Sequence, residues 1–272
     1  GMSRYLEVAM EAAREGGRAL MEEFARPVQI SYKGDADLVT QADQRSEKLV
    51  VARLRSEFPS HAIVAEEGGG TENSSPFRWH VDPLDGTTNY AHHFPAFAVS
   101  IGLEEAGELV AGVILNPSNG ELFTAERGQG AKLNGQPIRV SQADRLAVSL
   151  LGTGFPTHKR TENPNIHFYW QFTLASHGVR RVGAAALDLC MVACGRLDGF
   201  WEFGLKSWDT AAGALLVREA GGRVTDFAGK PFVPGGRVCL ASNGIIHDEM
   251  RGLAARIAEG GYDMKPLPKA SL

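Results

Sequence analysis

The sequence is poor in the features that mark disulfide-bonded, membrane-spanning and nucleic-acid-binding proteins. Its 272 residues include three cysteines, an odd number without a C-x-x-C pair, which argues against a disulfide framework or a structural zinc site. No apolar run reaches about 18 residues and no signal peptide is recognisable, so we expect a cytoplasmic protein that does not engage a membrane. Lys and Arg total 28 against 32 Asp and Glu, and this net charge of −4 gives no support for binding nucleic acid.

Several common catalytic motifs are also missing. The G-x-S-x-G motif is absent and no Ser-His-Asp arrangement follows from spacing. The segment 128–130 is too short and wrongly placed for a dinucleotide loop, and it indicates a hairpin instead. His92 and His93 lack metal-ligand spacing to another histidine.

The composition is that of an ordinary soluble globular protein. Apolar residues make up 43% and charged residues 22% of the chain, which is long enough to bury a sizeable core. The sequence contains no internal repeat, low-complexity tract or long linker. We therefore expect one domain over residues 1–272, with an N-terminal half at about 2–145 and a C-terminal half at about 146–265.

Apolar periodicity predicts a chain that alternates helices and strands. Helices are predicted at 3–25, 42–57, 163–176, 184–194, 208–220 and 246–258. Strands are predicted at 28–32, 61–65, 98–104, 110–115, 121–124, 148–152, 198–203 and 238–242. Turn residues between the strands of 98–124 indicate an antiparallel meander.

The clearest signal is the stretch 79–90, which combines an apolar approach, two carboxylates and a turn. Residues 79–81 suit a short strand that enters a core, but Pro83 lacks the N–H that a central strand needs. We therefore expect the strand to end near Asp82 and a helix to begin shortly after an Asp-Gly turn.

This bend would bring together oxygen atoms from Asp82, the Leu84 carbonyl and Asp85, a set that suits a hard cation such as Mg2+. The amides of Gly86 and Thr87 could hold a phosphate oxygen. The alternative is purely structural, because Asp-Pro and Asp-Gly are common turn dipeptides. However, two carboxylates about 4 Å apart repel by about 4 kcal/mol at an effective dielectric of about 20, and a cation would remove that penalty.

Three separate segments together resemble the inositol monophosphatase family. Residues 79–89, with the pattern W-x-x-D-P-L-D-G-T-T-N, closely resemble its first signature. The second signature appears as W-D-T-A-A-G at 208–213, followed by R-E-A-G-G at 218–222. Two glutamates at 66–67 precede the first signature at the family's distance.

The resemblance runs from about Tyr5 to about Ile257 and is closest to bacterial inositol-1-monophosphatases, including segments 179–183 and 203–209. It implies an α/β (α+β) fold, a layered α/β/α/β/α sandwich with mostly antiparallel and mixed sheets. It also implies a homodimer that hydrolyses a small phosphate ester without a phosphoenzyme.

The family match implies a site for two or three Mg2+ ions. Glu66, Asp82 and the Leu84 carbonyl would hold one ion, and Asp82, Asp85 and Asp209 would hold a second. A third, weaker ion near Glu66 and inhibition by lithium are also implied. From the residues alone, Glu66 could be a solvated loop glutamate, and Asp209 could serve the dipole of its helix.

The match also implies residues that handle the attacking water. Thr87, oriented by Asp43, would help to deprotonate it, and Glu67 would lie beside it. Lys33 would lie close to a metal, in a loop that includes Asp37. The alternatives are a helix capping box for Asp43 and solvated charges for Lys33 and Glu67.

Further matched positions lie where the family binds its substrate. Gly183 and Ala185 match positions where the backbone packs close to the substrate, although close helix packing explains them equally well. Glu202 matches a position at the inositol ring, and its alternative is a strand-end charge that reaches solvent. Lys206 and Ser207 depart from many eukaryotic members, which bears on the polyol pocket rather than on the metal site.

The predicted function is Mg2+-dependent hydrolysis of inositol 1-phosphate to myo-inositol and phosphate. Related enzymes cleave histidinol phosphate, fructose 1,6-bisphosphate or phosphoadenosine phosphate with the same metal core, so a histidinol-phosphate or other sugar-phosphate phosphatase is the first alternative. A non-catalytic sugar-phosphate binder or regulatory protein is the second. All the matched carboxylates are present, which favours an enzyme.

Overall fold

The computed structural model describes residues 1–33, 38–155, 163–260 and 266–271, so Asp37 lies outside the described residues. Its helices are α1 (Arg4–Phe24), α2 (Gln41–Glu57), α3 (Thr87–Ala91), α4 (Asn165–Ala175), α5 (Ala185–Ala193), α6 (Ser207–Glu219) and α7 (His247–Ala258). Its strands are β1 (Ile30–Tyr32), β2 (Leu38–Thr40), β3 (Ala62–Ala65), β4 (Phe77–Asp85), β5 (Ala98–Glu105), β6 (Glu108–Asn116), β7 (Glu121–Glu126), β8 (Gly130–Leu133), β9 (Gln136–Ile138), β10 (Leu150–Thr153), β11 (Gly178–Arg180), β12 (Gly199–Phe203), β13 (Arg223–Thr225) and β14 (Val238–Ser242). No helix within these ranges is both long and apolar enough to cross a bilayer.

Two large sheets and one hairpin organise the strands. The seven-stranded sheet has the order β3-β4-β5-β6-β7-β8-β9, the five-stranded sheet has the order β11-β10-β12-β14-β13, and β1 pairs with β2. Within the larger sheet only the β3–β4 pair is parallel, and β5, β6 and β7 form the predicted antiparallel meander. In the smaller sheet β10 runs parallel to β11 and β12, whereas β14 is antiparallel to β12 and β13.

The helices and sheets stack in five layers, and three apolar cores hold these layers together. One core packs α1 and α2 against a face of the seven-stranded sheet. A second lies between the other face of that sheet, α5 and α6, and the five-stranded sheet. A third packs α4 and α7 against the outer face of the five-stranded sheet. The order of layers is helices, sheet, helices, sheet, helices, which confirms the predicted α/β/α/β/α sandwich.

Glycines let α6 lie directly on the seven-stranded sheet. A Cβ added to Gly102 would lie 2.8 Å from the Ala211 Cβ, and one added to Gly112 would lie 3.0 Å from the Ala212 Cα. Real Cβ atoms in packed interiors do not approach that closely. This close packing brings the first turn of α6, which carries Asp209, to the sheet that carries Asp82.

The strand in the central stretch is longer than the sequence predicted. β4 continues to Asp85 rather than ending near Asp82. The pairing with β5 shifts register here, because three steps on β4, from Asp82 to Asp85, oppose two steps on β5, from Ser100 to Ala98. A bulge of this kind leaves a residue outside the ladder, so Pro83 can stand in the strand although it has no N–H to donate.

The N-termini of α2 and α3 hold two of the predicted site residues, Asp43 and Thr87, in place. The Asp43 N–H donates to Thr40 Oγ1 at 3.2 Å, and Asp43 Oδ2 accepts the Thr40 N–H at 2.8 Å. This is the predicted capping box, and α2 begins at Gln41, directly after Thr40. Gly86 precedes α3 with a φ of 88°, a left-handed conformation that favours glycine. Thr87 is therefore the first residue of α3.

Candidate active site

Three aspartates from two distant parts of the chain meet beside the bulge in β4. Asp82 and Asp85 flank the bulge, and Asp209 comes from the first turn of α6. One carboxylate oxygen of each lies within 4.8 Å of the others, and we call these three residues the acidic group. None of the ion pairs within the described ranges involves a member of the acidic group.

Backbone N–H groups orient the three carboxylates. The bonds run from Leu84 N–H to Asp82 Oδ1 at 3.2 Å, from Ala186 N–H to Asp85 Oδ2 at 2.7 Å, and from Lys206 N–H to Asp209 Oδ2 at 2.8 Å. Each of these bonds engages one of the two oxygens of its carboxylate. The Ala186 bond also joins the second half of the chain, at the start of α5, to the bend that follows β4.

Glu66 adjoins the acidic group from the neighbouring strand. Its N–H donates to the Val81 carbonyl at 3.2 Å, directly after the parallel β3–β4 ladder, which places Glu66 beside Asp82. Glu66 Oε2 is buried without a hydrogen-bond partner among the described residues. A buried carboxylate oxygen is unfavourable unless a donor or a cation reaches it. Glu66 therefore fits the edge of a cation site.

Burial and mutual repulsion raise the pKa values of these acids. Burial raises the pKa of Asp82 and Asp85 well above the ordinary value, and the charges of Glu66 and Asp209 respectively raise them further. Burial also raises the pKa of Asp209, and it raises that of Glu66 to about 7. A divalent cation would favour the charged carboxylates and reverse these shifts. The oxygen-only donor set is thus compatible with a site for a hard metal ion.

A threonine bound to a buried aspartate lies beside the acidic group. Thr87 Oγ1 lies 2.9 Å from Asp43 Oδ1 and 3.2 Å from the Leu84 carbonyl, and either can accept its single proton. Asp43 is 1% exposed. Burial raises the pKa of Asp43 to about 6, although hydrogen bonds from Thr40 and Thr87 favour its charged form. Asp43 therefore both caps α2 and holds the Thr87 hydroxyl.

Lys33 and Glu67 form an ion pair at the edge of the site. Lys33 Nζ lies 2.7 Å from Glu67 Oε1, and the Glu67 side chain is only 8% exposed. Burial alone would lower the pKa of Lys33, but the bond to Glu67 and the charges of Glu66 and Asp43 raise it. The Glu67 side chain is therefore not a freely solvated loop charge, whereas Lys33 is exposed apart from this pair.

Sequence reasoning missed two residues of α2 that support these segments. Glu47 accepts the Glu67 N–H at 2.6 Å, and Ser46 Oγ donates to the Pro83 carbonyl at 2.8 Å. Glu47 follows Asp43 by four residues, so both carboxylates lie on one face of the helix. That spacing is the signal in the sequence that points to Glu47.

A second link that the sequence did not reveal joins β4 to α6. His80 Nδ1 lies 2.9 Å from Ser207 Oγ. His80 precedes Asp82 by two residues, and Ser207 precedes Asp209 by two. The contact therefore ties together the backbone segments on which two members of the acidic group stand.

A cavity of about 160 Å³ opens beside the acidic group. Among its lining residues are Asp85 and three of the predicted substrate residues, Gly183, Ala185 and Glu202. Glu202 is 9% exposed, and a Cβ added to Gly154 would overlap Glu202 Oε1. A glycine at position 154 is thus required for the observed position of the Glu202 carboxyl.

Glu202 does not reach solvent as a charged strand end, so that alternative is wrong. Burial and the charge of Asp209 together raise the pKa of Glu202 to about 8, although the nearby charge of Arg181 acts in the opposite direction. Gly183 has a φ of 85°, and a Cβ there would lie 3.1 Å from the Asn89 side chain. The Asn89 amide donates to the Val182 carbonyl at 2.9 Å, which joins α3 to this wall of the cavity.

The chain is similar to known proteins in both sequence and structure. Residues 2–260 match the sequence model of the inositol monophosphatase family. The inositol-1-monophosphatase of Mesorhizobium japonicum is 46% identical over 249 residues, which cover 90% of this chain and 93% of the relative. The Nus factor SuhB of Pseudomonas aeruginosa is 46% identical over 236 residues, which cover 84% and 87%. The solved structure of inositol monophosphatase from Anabaena matches with a TM-score of 0.84 at 44% identity and covers 93% of this chain and 95% of its own.

Proposed function

Because the chain belongs to the inositol monophosphatase family and has relatives named inositol-1-monophosphatase, we propose that it hydrolyses inositol 1-phosphate to myo-inositol and phosphate with Mg2+. The observation that carries this proposal is the acidic group, whose carboxylate oxygens lie within 4.8 Å of one another. It adjoins a cavity that contains a buried polar side chain, Glu202. A phosphate held at the acidic group would place its alcohol in that cavity.

In this proposal Glu66, Asp82 and the Leu84 carbonyl hold one Mg2+, and the three members of the acidic group hold a second. A third, weaker ion would lie near Glu66. Bound Mg2+ supplies Lewis-acid stabilisation of the charge that develops on the transferring phosphoryl group. The oxygen-only donor set and the unpartnered Glu66 Oε2 support this assignment.

The protein's own residues would bind the phosphate and move the proton. Gly86 and Thr87 would bind a phosphate oxygen through their backbone N–H groups. In this proposal Thr87 Oγ1 donates its proton to Asp43 Oδ1 rather than to the Leu84 carbonyl, and its lone pairs would accept a hydrogen bond from the attacking water. With a pKa of about 6, Asp43 is mostly charged at pH 7 and can accept the water's proton through Thr87. Glu67, paired with Lys33, would orient the same water.

The cavity residues would select the alcohol. Glu202 would exchange hydrogen bonds with ring hydroxyls, and Gly183 and Ala185 would let the ring approach the backbone; all three line the same cavity, which supports these roles. A buried polar group that pairs with a substrate hydroxyl discriminates strongly against substrates that lack it. This supports a polyol phosphate over a simple alkyl phosphate.

The test is phosphate release from a panel of monoesters with Mg2+, with chelator, and with Mg2+ restored. The panel contains inositol 1-phosphate, histidinol phosphate, fructose 1,6-bisphosphate and phosphoadenosine phosphate. We expect the highest kcat/KM for inositol 1-phosphate and complete loss of turnover in chelator. A higher kcat/KM for another ester would reassign the substrate, and no release from any ester would favour a non-catalytic binding or regulatory protein.

We further propose that the chain is a cytoplasmic homodimer inhibited by Li+, in which residues 1–272 form one phosphatase domain with halves at about 2–145 and 146–265. The packing of α6 against strands of both sheets supports one domain. Sedimentation velocity tests the dimer, and millimolar Li+ in the phosphate-release assay tests the inhibition. A monomer, or turnover unaffected by Li+, would contradict the respective proposal.

A further inference from the structure

The carboxylate of Glu47 binds the turn that carries two of the proposed site residues. Glu47 is 4% exposed. Its Oε1 accepts the Glu67 N–H at 2.6 Å, and its Oε2 accepts the Gly69 N–H at 2.9 Å. Hydrogen bonds from backbone N–H groups to a charged carboxylate are roughly twice as strong as neutral ones. One buried side chain thus holds two peptide groups of a single turn.

We infer that Glu47 is a positioning residue that fixes the turn of Glu66 and Glu67 for metal binding. The inference rests on the proposed function, because it takes Glu66 as a metal ligand. Glu47 touches no substrate atom in this scheme and acts only through the turn. Its two acceptor oxygens hold the backbone at Glu67 and Gly69 in place. The position of that backbone in turn determines where the side chain of the preceding residue, Glu66, lies.

The position of Glu47 on α2 explains why the turn needs it. α2 is rigidly packed, because its apolar face lies in the core against the seven-stranded sheet. The turn itself includes Gly68 and Gly69 and is followed by Gly70, and these exposed glycines offer little resistance to backbone motion. Asp43 stands one helical turn earlier on the same face and holds Thr87. α2 therefore sets the placement of Glu66 and Glu67 relative to the Thr87 hydroxyl.

A merely structural role for Glu47 predicts a different result from a positioning role. If Glu47 only satisfied two backbone donors, its loss would lower thermal stability and leave metal affinity unchanged. If it aims Glu66, its loss would weaken Mg2+ binding as well. Substitution of residues that orient metal ligands typically lowers metal affinity by about 10–100-fold.

The first variant is Glu47→Gln, which keeps the shape of the side chain. Its carbonyl oxygen can accept one of the two N–H groups, but its amide N–H would face the other donor. The test is isothermal titration calorimetry of Mg2+ binding to the substrate-free protein, together with a measurement of Tm without metal. We expect a rise of roughly tenfold or more in the Kd for Mg2+.

The second variant disturbs the same contact from outside the core. A Cβ added to Gly69 would lie 2.8 Å from Glu47 Oε2, so in Gly69→Ala either that carboxylate or the turn must shift, while Glu47 itself is unchanged. We expect a smaller increase in the Kd for Mg2+, in the same direction. The matched control is Gly252→Ala on α7, where an added Cβ meets no atom within 4 Å, and its Kd should equal that of the wild type.

The outcomes separate the two proposals. Wild-type protein that neither binds Mg2+ nor releases phosphate overturns the proposed function and this inference with it. Wild-type protein that does both, with Glu47→Gln and Gly69→Ala binding Mg2+ equally well, overturns only the role of Glu47. If Glu47→Gln fails to fold, an unchanged Kd in Gly69→Ala alone overturns the inference.

Discussion

The imidazole of His247 and the acidic group are both largely removed from water, but the chain completes the hydrogen bonding of only the first. His247 is fully buried on the outer side of the five-stranded sheet. Its Nε2 lies 2.7 Å from Thr225 Oγ1 and its Nδ1 lies 2.7 Å from Ser242 Oγ. Both ring nitrogens therefore have a partner from the protein itself.

The surrounding bonds fit a neutral His247 ring. Thr225 Oγ1 donates to the Asp226 carbonyl at 2.6 Å, so it can accept the Nε2–H of the ring. Ser242 Oγ accepts the Gly244 N–H at 3.0 Å and is left with its own proton to donate to Nδ1. This tautomer is inferred from the network. It satisfies every donor and acceptor of the ring without a charge.

The acidic group shows the opposite pattern. Its members face one another, and the charges that reach them from Glu66 and from within the group raise their pKa values. Backbone donors engage single oxygens, and the adjoining Glu66 Oε2 has no partner in the described part of the chain. A polar network that is complete stabilises the fold, whereas an incomplete acidic one indicates a ligand from outside.

The largest effect is expected when one charge is removed from the acidic group. In Asp85→Asn the amide oxygen can still accept the Ala186 N–H, but one negative charge is lost. We expect kcat/KM with Mg2+ to fall by orders of magnitude, while Tm without metal stays equal or rises because a repulsion is removed. Steady-state kinetics and calorimetry measure the two quantities. Wild-type kcat/KM in this variant, or full turnover in chelator, would contradict the proposed metal site.

The next effect concerns the hydroxyl beside the acidic group. Thr87→Ala removes the bond to Asp43 but leaves the left-handed Gly86 that begins α3. General-base assistance is worth about 10²–10⁴-fold, so kcat should fall within that range while KM changes little. Thr173→Ala, which removes a threonine bond to the Tyr169 carbonyl inside α4, is the matched control. A kcat for Thr87→Ala equal to that of the control would exclude Thr87 from the mechanism.

Local patterns predicted the elements of the fold better than their assembly. The meander and the capping box followed from turn residues and from short-range spacing, and the structure confirms both. The predicted end of β4 was wrong. The prediction relied on the rule that proline cannot donate a hydrogen bond in a regular ladder, and this rule does not take account of a bulge at Pro83. The five layers came only from the family resemblance, because no periodicity shows that α6 lies on glycines of β5 and β6.

The same division holds for the site. Asp82 and Asp85 share one bend, so their proximity could be derived from sequence, whereas Asp209 arrives through the packing of α6 on the sheet. Glu47 was missed because a glutamate on a polar helix resembles a solvated residue until the turn at Glu67 folds onto it. The His80–Ser207 contact also depends on the packing of α6 on the sheet, so it could not be predicted from the local spacing of residues.

A smaller effect is expected at Glu202, whose proposed partner is the substrate rather than a metal. Glu202→Ala removes a buried hydrogen-bonding group, a loss worth about 1–3 kcal/mol or roughly tenfold to a hundredfold in kcat/KM. We expect that loss for inositol 1-phosphate, with little change for a small artificial phosphate ester or for the Kd of Mg2+. Kinetics on both esters measure the difference. Equal losses on the two esters would assign Glu202 to the fold or to the metals instead.

The smallest expected effect is a pH dependence of stability that comes from the buried, fully hydrogen-bonded ring of His247. Burial, aided by the charge of Arg223, lowers the pKa of His247 to about 4, from an ordinary value of 6.5. Between these two pH values the unfolded chain binds more protons than the folded one. The contribution of His247 to stability is therefore fully present above about pH 6.5, and up to about 3 kcal/mol of it is lost as the pH falls towards 4. Urea unfolding of the wild type and of His247→Gln at a series of pH values isolates this contribution, because the acidic group titrates in both. The advantage of the wild type should shrink on acidification. An advantage that stays constant or grows would mean that the ring is not held neutral by Thr225 and Ser242.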